Sequence, residues 1–202
     1  MQTTEERKLV TVLFADIVGS TSLASEEDPE RVRALMDRFY EAMQAEVAAA
    51  GGTVEKFAGD AVLASFGAPA AQEDHAERAL HTALSMRRRV KELFGDRLAL
   101  RIGVNTGDVV IGRPREGSSF VTGDAVNVAA RLEQAAAPGE ILVGERTARA
   151  ARGAFEFDEP QTVAGSTATF SLRVGPAQRY YMLWITHLGS ALRAEIDEVT
   201  AR

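Results

Sequence analysis

The chain has 202 residues, of which 46% are hydrophobic and 26% charged, a balance typical of a folded domain with a sizeable core. Its 29 acidic and 23 basic side chains give a net charge of −6, which argues against a protein that holds nucleic acid through overall charge. The absence of cysteine excludes a disulfide framework, a thiol nucleophile and a thiolate zinc site. With only three histidines, any metal would be held by carboxylates, which favours magnesium, manganese or calcium.

Targeting and membrane segments are not evident in the sequence. Residues 1–8 are polar and lack the apolar stretch of a signal peptide. The apolar run at 180–185 is far shorter than the roughly 20 residues that a membrane-spanning helix needs. We therefore expect a cytoplasmic protein with no membrane segment in this chain.

The first half of the chain predicts a buried strand, a helix, a hairpin and a second helix. Residues 9–18 are almost continuously apolar, which is typical of a central strand. Asp28 and Pro29 form a helix start, and apolar residues then recur at helical spacing until Gly51. Residues 53–57 and 61–66 predict a hairpin, and an amphipathic helix follows over 73–94.

The second half alternates strands and helices in the same way. We predict strands over 98–104 and 109–111 joined by a turn, a helix over 123–137, a strand at 141–143, a helix over 145–151 and a strand near Phe155. This order predicts an α+β fold, an α/β sandwich in which helices cover one mixed sheet. We place one domain over 7–158 and a C-terminal extension over 159–202, with a last strand around Trp184 and then a helix or a disordered tail.

Two aspartates, Asp16 and Asp60, could have either a structural or a functional role. Asp16 ends the apolar first strand, where it either caps the turn at 19–22 or meets a cation. Asp60 lies at the hairpin tip, where aspartate is also common for conformational reasons. If the first strand lies beside the hairpin, the two carboxylates converge at one sheet edge. Such a pair leaves positions on a divalent ion for phosphate oxygens and water, an arrangement typical of two-metal phosphoryl transfer.

A polar pair follows on the helix predicted over 123–137. Asn127 and Arg131 are four residues apart and therefore project from the same helical face. An amide beside a guanidinium can orient a ribose and neutralise charge on a phosphorus. The alternative is a solvated polar stripe, which these residue types also form.

Three segments together resemble the signature blocks of the class III nucleotidyl cyclase catalytic domain. They are residues 14–21 (FADIVGST), 56–60 (KFAGD) and 123–132 (GDAVNVAARL), in the order and at the separations usual in that family. The resemblance covers about 7–158. It implies a ferredoxin-like, polymerase-palm-type sheet and a head-to-tail homodimer with active sites at the interface. It also implies conversion of a nucleoside triphosphate to its 3′,5′-cyclic monophosphate and pyrophosphate.

The resemblance implies a role for each matched residue. Asp16 and Asp60, with the carbonyl of Ile17, would bind two Mg²⁺ or Mn²⁺ ions, one activating the ribose 3′-hydroxyl and the other holding the β- and γ-phosphates. Asn127 would orient the ribose and Arg131 would stabilise the pentavalent phosphate, both supplied by the partner chain. The turn residues that would contact the substrate are Gly19, Ser20 and Thr21.

Base selection is where the sequence departs from the family pattern. Adenylyl members have a lysine four residues before the second metal aspartate, which Lys56 matches, whereas guanylyl members have glutamate there. The lysine's usual polar partner lies three residues before Gly123, and here that position is Phe120, which cannot hydrogen-bond a purine. Thr122 offers a hydroxyl close by. The expected function is an adenylate cyclase acting on ATP, and a cyclase of relaxed or GTP specificity remains an alternative because such a site rejects wrong bases weakly.

Two further departures concern the triphosphate contact and the dimer. The family often has a late lysine that contacts the triphosphate, and the nearest match here is Arg173. The loop at 113–119 is short where the family often has a longer dimerisation arm. The missing lysine, together with Phe120, keeps open a non-catalytic nucleotide-binding or dimerisation module. No sensor segment is evident, so we expect an unseen regulatory domain or partner.

Overall fold

The computed structural model describes residues 6–68, 70–112, 121–163 and 168–173. The strands are β1 (Glu6–Val18), β2 (Thr53–Ala58), β3 (Ala61–Phe66), β4 (Ala99–Ile111), β5 (Val121–Thr122), β6 (Ile141–Gly144), β7 (Glu156–Phe157) and β8 (Thr169–Arg173). The helices are α1 (Ser20–Glu26), α2 (Pro29–Ala49), α3 (His75–Phe94), α4 (Asp124–Ala135) and α5 (Glu145–Ala150). The predicted hairpin and the alternation of strands and helices are confirmed.

A single mixed sheet forms the centre of the domain. Its strand order is β2-β3-β1-β4-β6-β8-β7, and β5 pairs with β4 away from this path. β1 is antiparallel to both β3 and β4, while β4 is parallel to β6. The C-terminal end of β1 therefore lies between the hairpin and the start of β4, the position that the candidate site requires.

The two faces of the sheet are covered by different helices. On one face, alternate β1 residues such as Leu13 and Ala15 pack in a large core to which α2, α3 and α5 contribute. On the other face, Val10 and Val12 pack with α4 residues, among them Ala129. The predicted helix start is also confirmed, because the Asp28 side chain accepts a hydrogen bond of 2.9 Å from the main-chain N–H of Glu30.

The predicted turn at 105–108 is wrong, since β4 is one continuous strand of 13 residues. The Asn-Thr-Gly-Asp sequence has turn composition, but its first two side chains are buried and hydrogen-bonded inside the domain. Asn105 donates to the carbonyl of Ala125, and Thr106 shares a hydroxyl contact of 2.7 Å with Thr11 of β1. β1 pairs with β4 along the whole stretch, so tertiary contacts override the local turn preference.

Helix α4 lies unusually close to β4 because of a glycine. A Cβ atom on Gly103 would lie 2.2 Å from the carbonyl oxygen of Ala129 and 2.4 Å from the main-chain nitrogen of Glu133. Any side chain at this position would push the helix away from the sheet. The close approach brings the second half of α4 over the first half of β4.

Several sequence predictions lie outside the described residues. They are the short loop at 113–119, Phe120, the last strand around Trp184 and the C-terminal tail. The proposed boundary at residue 158 stays a prediction, and the structure adds that β8 joins the central sheet beside β6. Among the helices of the described residues, none combines the length and the apolar character that crossing a membrane requires.

Candidate active site

Asp16 and Asp60 lie together at one edge of the sheet. Asp16 near the end of β1 pairs in register with Ala61, the residue that follows Asp60 in the hairpin. The hydroxyl of Ser20, at the start of α1, donates a hydrogen bond to the carboxylate of Asp60. The strand order thus brings both predicted metal ligands and one predicted substrate contact into one place.

The hairpin tip is fastened to helix α2. Gly59 adopts a left-handed φ of 62°, which allows the tight turn before Asp60. The hydroxyl of Tyr40 donates a 2.6 Å hydrogen bond to the carbonyl of Gly59, and its ring centroid lies 4.8 Å from that of Phe57. Burial and then the charge of Asp60 raise the pKa of Tyr40, so the phenol stays protonated and remains a donor. Tyr40 thereby fixes the backbone next to the second carboxylate.

The turn after β1 also follows from local sequence. Gly19 has a φ of 96°, in the left-handed region that favours glycine, and this lets the chain pass directly into α1. The side chain of Ile17 is buried in the core and has no atom that could bind a metal, so the predicted metal contact of this residue rests on its main-chain carbonyl. Thr21 is exposed on α1. The predicted phosphate contacts of this turn stay predictions.

The sequence reasoning missed two charged residues, Arg101 and Glu133, that belong to the same cluster. Nη2 of Arg101 in β4 lies 2.5 Å from Oδ2 of Asp16 and 3.2 Å from Oε1 of Glu133 in α4. The side chain of Glu133 is only 6% exposed and that of Asp16 17%. A charged residue inside the apolar run at 98–104 is the signal that would have found Arg101, because it is the same anomaly that identified Asp16.

The electrostatics of this cluster follow from burial and mutual contact. Burial raises the pKa of Glu133, the nearby guanidinium of Arg101 opposes that rise, and the charges of Asp16 and Asp60 add to it. The hydrogen bond to Asp16 raises the pKa of Arg101, so this side chain stays a cation. Two carboxylates therefore contact one arginine and the charge of a third, Asp60, acts on it, so the region attracts positive charge.

The donor set of the cluster suits a hard divalent cation. Carboxylate, hydroxyl and main-chain carbonyl oxygens are the ligands that Mg²⁺ and Mn²⁺ take, and Asp16 already binds a cation in the form of Arg101. Within the described ranges, no group of three or more histidine, aspartate or glutamate side chains has the spacing of a complete metal site. Two aspartates at a sheet edge therefore fit ions whose remaining ligands come from a substrate and water.

Asn127 and Arg131 lie on the opposite side of α4 from its buried face. Ala125 and Ala129 face the sheet. Asn127 and Arg131 each follow one of these alanines by two residues, which at about 100° per residue is a rotation of roughly 200° around the helix axis. Asn127 is exposed, and Arg131 keeps 42% of its side chain exposed and forms a 3.9 Å ion pair with Asp124. The structure does not bring this pair to Asp16 and Asp60 within one chain.

Two of the predicted base-selecting residues, Lys56 and Thr122, neighbour strand residues that pack in one small apolar cluster. Lys56 is exposed in β2 and pairs in register with Leu63, which packs in the same cluster as Val121. Thr122 follows Val121, and its hydroxyl donates a 3.4 Å hydrogen bond to the carbonyl of Val110. The segment that contains Thr122 and the strand that contains Lys56 therefore border the same patch.

Arg173 is not part of the carboxylate cluster. It ends β8, where its Nε lies 2.8 Å from Oδ1 of Asp158, and both side chains are largely exposed. The strand order separates β8 from β1 by β4 and β6, about 14 Å at ordinary strand spacing. Its assignment as the triphosphate contact receives no support from its position in a single chain.

Comparison with known proteins identifies the fold family. Residues 2–182 match the family model of the adenylate and guanylate cyclase catalytic domain. The chain belongs to this family. Adenylate cyclase 1 of Rhizobium meliloti is 35% identical over 137 residues, which cover 63% of this chain and 21% of that protein. The cyclase domain thus spans only about a fifth of the length of this relative.

Solved cyclase structures match the cyclase domain closely. The adenylyl cyclase CyaB from P. aeruginosa superposes with a TM-score of 0.79 at 28% identity, covering 87% of this chain and 98% of that one. The guanylyl cyclase Cya2 gives a TM-score of 0.77 at 29% identity, covering 85% and 95%. The resemblance, the predicted α+β fold class and the assignment as a nucleotidyl cyclase domain are confirmed. An adenylyl and a guanylyl cyclase match almost equally well, so the fold does not distinguish the two bases.

Proposed function

We propose that this domain is an adenylate cyclase that converts ATP to 3′,5′-cyclic AMP and pyrophosphate. The ribose 3′-oxygen bonds to the α-phosphorus, the bond from that phosphorus to the bridging oxygen of the β-phosphate breaks, and the hydroxyl proton is released. The observation that carries the proposal is the convergence of Asp16 and Asp60 beside Ser20 at one sheet edge. Because ATP is the substrate, we also propose a cytoplasmic location.

The metal-binding half of the proposed site comes from β1 and the hairpin. Asp16, Asp60 and the carbonyl of Ile17 would hold two Mg²⁺ or Mn²⁺ ions. When bound, such ions lower the pKa of a hydroxyl and neutralise polyphosphate charge. Ser20 orients the Asp60 carboxylate through its hydrogen bond, and main-chain N–H groups of the 19–21 turn would face the phosphates.

The second half of the proposed site comes from a partner copy. Asn127 and Arg131 point away from the sheet of their own chain, so the substrate they serve lies outside that chain. We propose a homodimer in which these residues complete the partner's site, with Asn127 orienting the ribose and Arg131 neutralising charge on the α-phosphate. An arginine supplied in trans accelerates phosphoryl transfer by roughly 10³–10⁵.

Two alternatives rest on specific observations. Phe120 stands where a polar partner of Lys56 is usual in the family, which favours a cyclase of relaxed or GTP specificity. The position of Arg173, paired with Asp158, favours a non-catalytic nucleotide-binding or dimerisation module. Because the domain spans a fifth of its curated relative, we also propose that a further domain or partner regulates it.

The first experiment incubates the purified protein with ATP or GTP, each with Mn²⁺ or Mg²⁺, and separates the products by chromatography. We expect cyclic AMP from the wild type and none from Asp16→Asn. The matched control is Asp108→Asn, which removes an exposed carboxylate at the far end of β4 that also pairs with an arginine. Cyclic GTP as the main product would establish the second specificity, and no cyclic product from a folded dimer would favour the binding module.

A complementation experiment tests the shared sites. Asp16→Asn and Arg131→Ala are each expected to be inactive, but a heterodimer of the two has one intact site. With random exchange, half of the dimers are mixed and each has one of two sites, so we expect about a quarter of wild-type activity. Demonstrated subunit exchange without any recovered activity would contradict the assignment of Arg131 to the partner's site.

A further inference from the structure

We propose that Arg101 and Glu133 form a metal-responsive latch on Asp16. The latch is closed when Arg101 bridges Asp16 and Glu133, and it opens when a divalent cation takes Asp16 and leaves Arg101 on Glu133 alone. Glu133 is then a positioning residue that acts through Arg101. The inference rests on the proposed metal role of Asp16 and goes beyond it, because it assigns a function to two residues outside the predicted ligand set.

The structure shows the closed state of the latch. One nitrogen, Nη2 of Arg101, contacts Asp16 at 2.5 Å and Glu133 at 3.2 Å. The Nε of Arg101 is buried and has no hydrogen-bond partner among the described residues, so the guanidinium is held through one end rather than by a full fork of contacts. Because the same nitrogen contacts both carboxylates, the guanidinium can leave Asp16 and keep its contact with Glu133 with little rearrangement.

A cation at Asp16 cannot coexist with the closed latch. Two positive charges at contact distance repel strongly in a partly buried site, where water screens less than in bulk. Asp16 is 17% exposed and Asp60 is close enough to influence the pKa of Arg101, so a cation between the two carboxylates would lie next to the guanidinium. Arg101 must therefore leave Asp16 when the ion arrives.

Glu133 is built to receive the displaced arginine. Its side chain is 6% exposed and its position is fixed by the close packing of α4 on Gly103. A buried carboxylate without a counter-ion is costly, and burial already raises the pKa of Glu133 despite the presence of Arg101. The pairing of Arg101 with Glu133 is therefore more favourable than exposure of Arg101 to solvent.

The latch predicts opposite effects for its two members on metal affinity. Arg101→Met removes the competing cation and is expected to tighten Mn²⁺ binding by about three- to tenfold. The free energy of rearranging one ion pair corresponds to a change in affinity of roughly this size. Glu133→Gln removes the second anchor, so Arg101 stays on Asp16 and Mn²⁺ binding weakens by a similar factor. In the double variant the effect of Glu133→Gln disappears, because no arginine remains to be received.

The experiment titrates the whole chain with Mn²⁺ alone, without nucleotide, and follows free Mn²⁺ by electron paramagnetic resonance. Circular dichroism establishes that each variant is folded, and Arg101→Gln replaces Arg101→Met if the latter is not. Arg146→Met is the matched control, because Arg146 forms a 3.2 Å ion pair with Asp108 at the far end of β4. The Mn²⁺ affinity of the Arg146→Met variant is expected to equal that of the wild type.

Three outcomes separate the latch from the proposed metal site. Opposite shifts for Arg101→Met and Glu133→Gln, with the second lost in the double variant, support the latch. Unchanged affinities, or an effect of Glu133→Gln that persists without Arg101, overturn the latch and leave the metal site intact. Equal Mn²⁺ binding by the wild type and Asp16→Asn overturns the metal site and the latch with it.

Discussion

The packing of α4 on β4 predicts a large effect for Gly103→Ala. The added Cβ would lie 2.2 Å from the carbonyl oxygen of Ala129, where ordinary contact begins at 3.4 Å. Helix α4 would have to retreat by about 1.2 Å, and the obstacle is helix backbone, which cannot rotate away as a side chain can. Overpacking of this kind typically costs 1–3 kcal/mol and occasionally more, so we expect a loss of about 3 kcal/mol.

The assays are urea unfolding, which gives the free energy of unfolding, and thermal unfolding, which gives Tm, both followed by circular dichroism. A loss of about 3 kcal/mol corresponds to a fall in Tm of roughly 6–12 °C for a chain of this size. The control is Gly153→Ala, because a Cβ on Gly153 meets nothing within 4 Å, and its effect should stay within about 0.5 kcal/mol. Equal stabilities of the two variants would refute the reasoning, since the close approach of α4 to β4 would then not contribute to the free energy of unfolding.

Three further predictions test the hydrogen bond of Tyr40 to the hairpin, the half-buried His81 and base selection. Tyr40→Phe removes the hydrogen bond to Gly59 and should lower the free energy of unfolding in urea by about 0.5–1.5 kcal/mol. It should also raise the Mn²⁺ concentration needed for half-maximal activity. An unchanged metal dependence would contradict the role of Tyr40 in holding the hairpin. Burial lowers the pKa of His81 below its ordinary value of 6.5, so the unfolded chain takes up the proton first and stability falls as the pH drops through that value. Urea unfolding at about pH 7 and about pH 5.5 should show a smaller fall for His81→Gln than for the wild type, and equal falls would exclude this histidine as the cause. Lys56→Glu should raise the ratio of cyclic GTP to cyclic AMP formed from equal concentrations of the two substrates, and an unchanged ratio would remove Lys56 from base selection.

The sequence was most informative where residue pattern and chemistry coincide. β1 is largely apolar but has a carboxylate, Asp16, near its end, and this anomaly pointed to the edge of the sheet where Asp60 also lies. The N-cap at Asp28 and the hairpin before Ala61 were predictable because capping and turn preferences are local properties. The family blocks added the order of the site residues along the chain.

Non-local contacts account for what the sequence did not reveal. Residues 105–108 have turn composition, and only burial against Thr11 and Ala125 makes them part of a strand. Arg101 and Glu133 are 32 positions apart, and their meeting depends on the fit of α4 to Gly103, which no local pattern contains. Asn127 and Arg131 were identified by type and spacing, but their outward direction required the position of the helix.

The pairing of β1 with β4 has a consequence for synthesis on the ribosome. β1 can pair with β3 once residue 66 has emerged, but its other edge has to wait for β4, which ends at residue 111. During that interval the backbone N–H and C=O groups of a 13-residue, largely apolar strand have no neighbour on one side. A nascent chain of intermediate length therefore displays a template for association with other unfinished chains. Slow elongation between these two points would lengthen the exposure, and chaperone binding to the free edge of β1 would limit it.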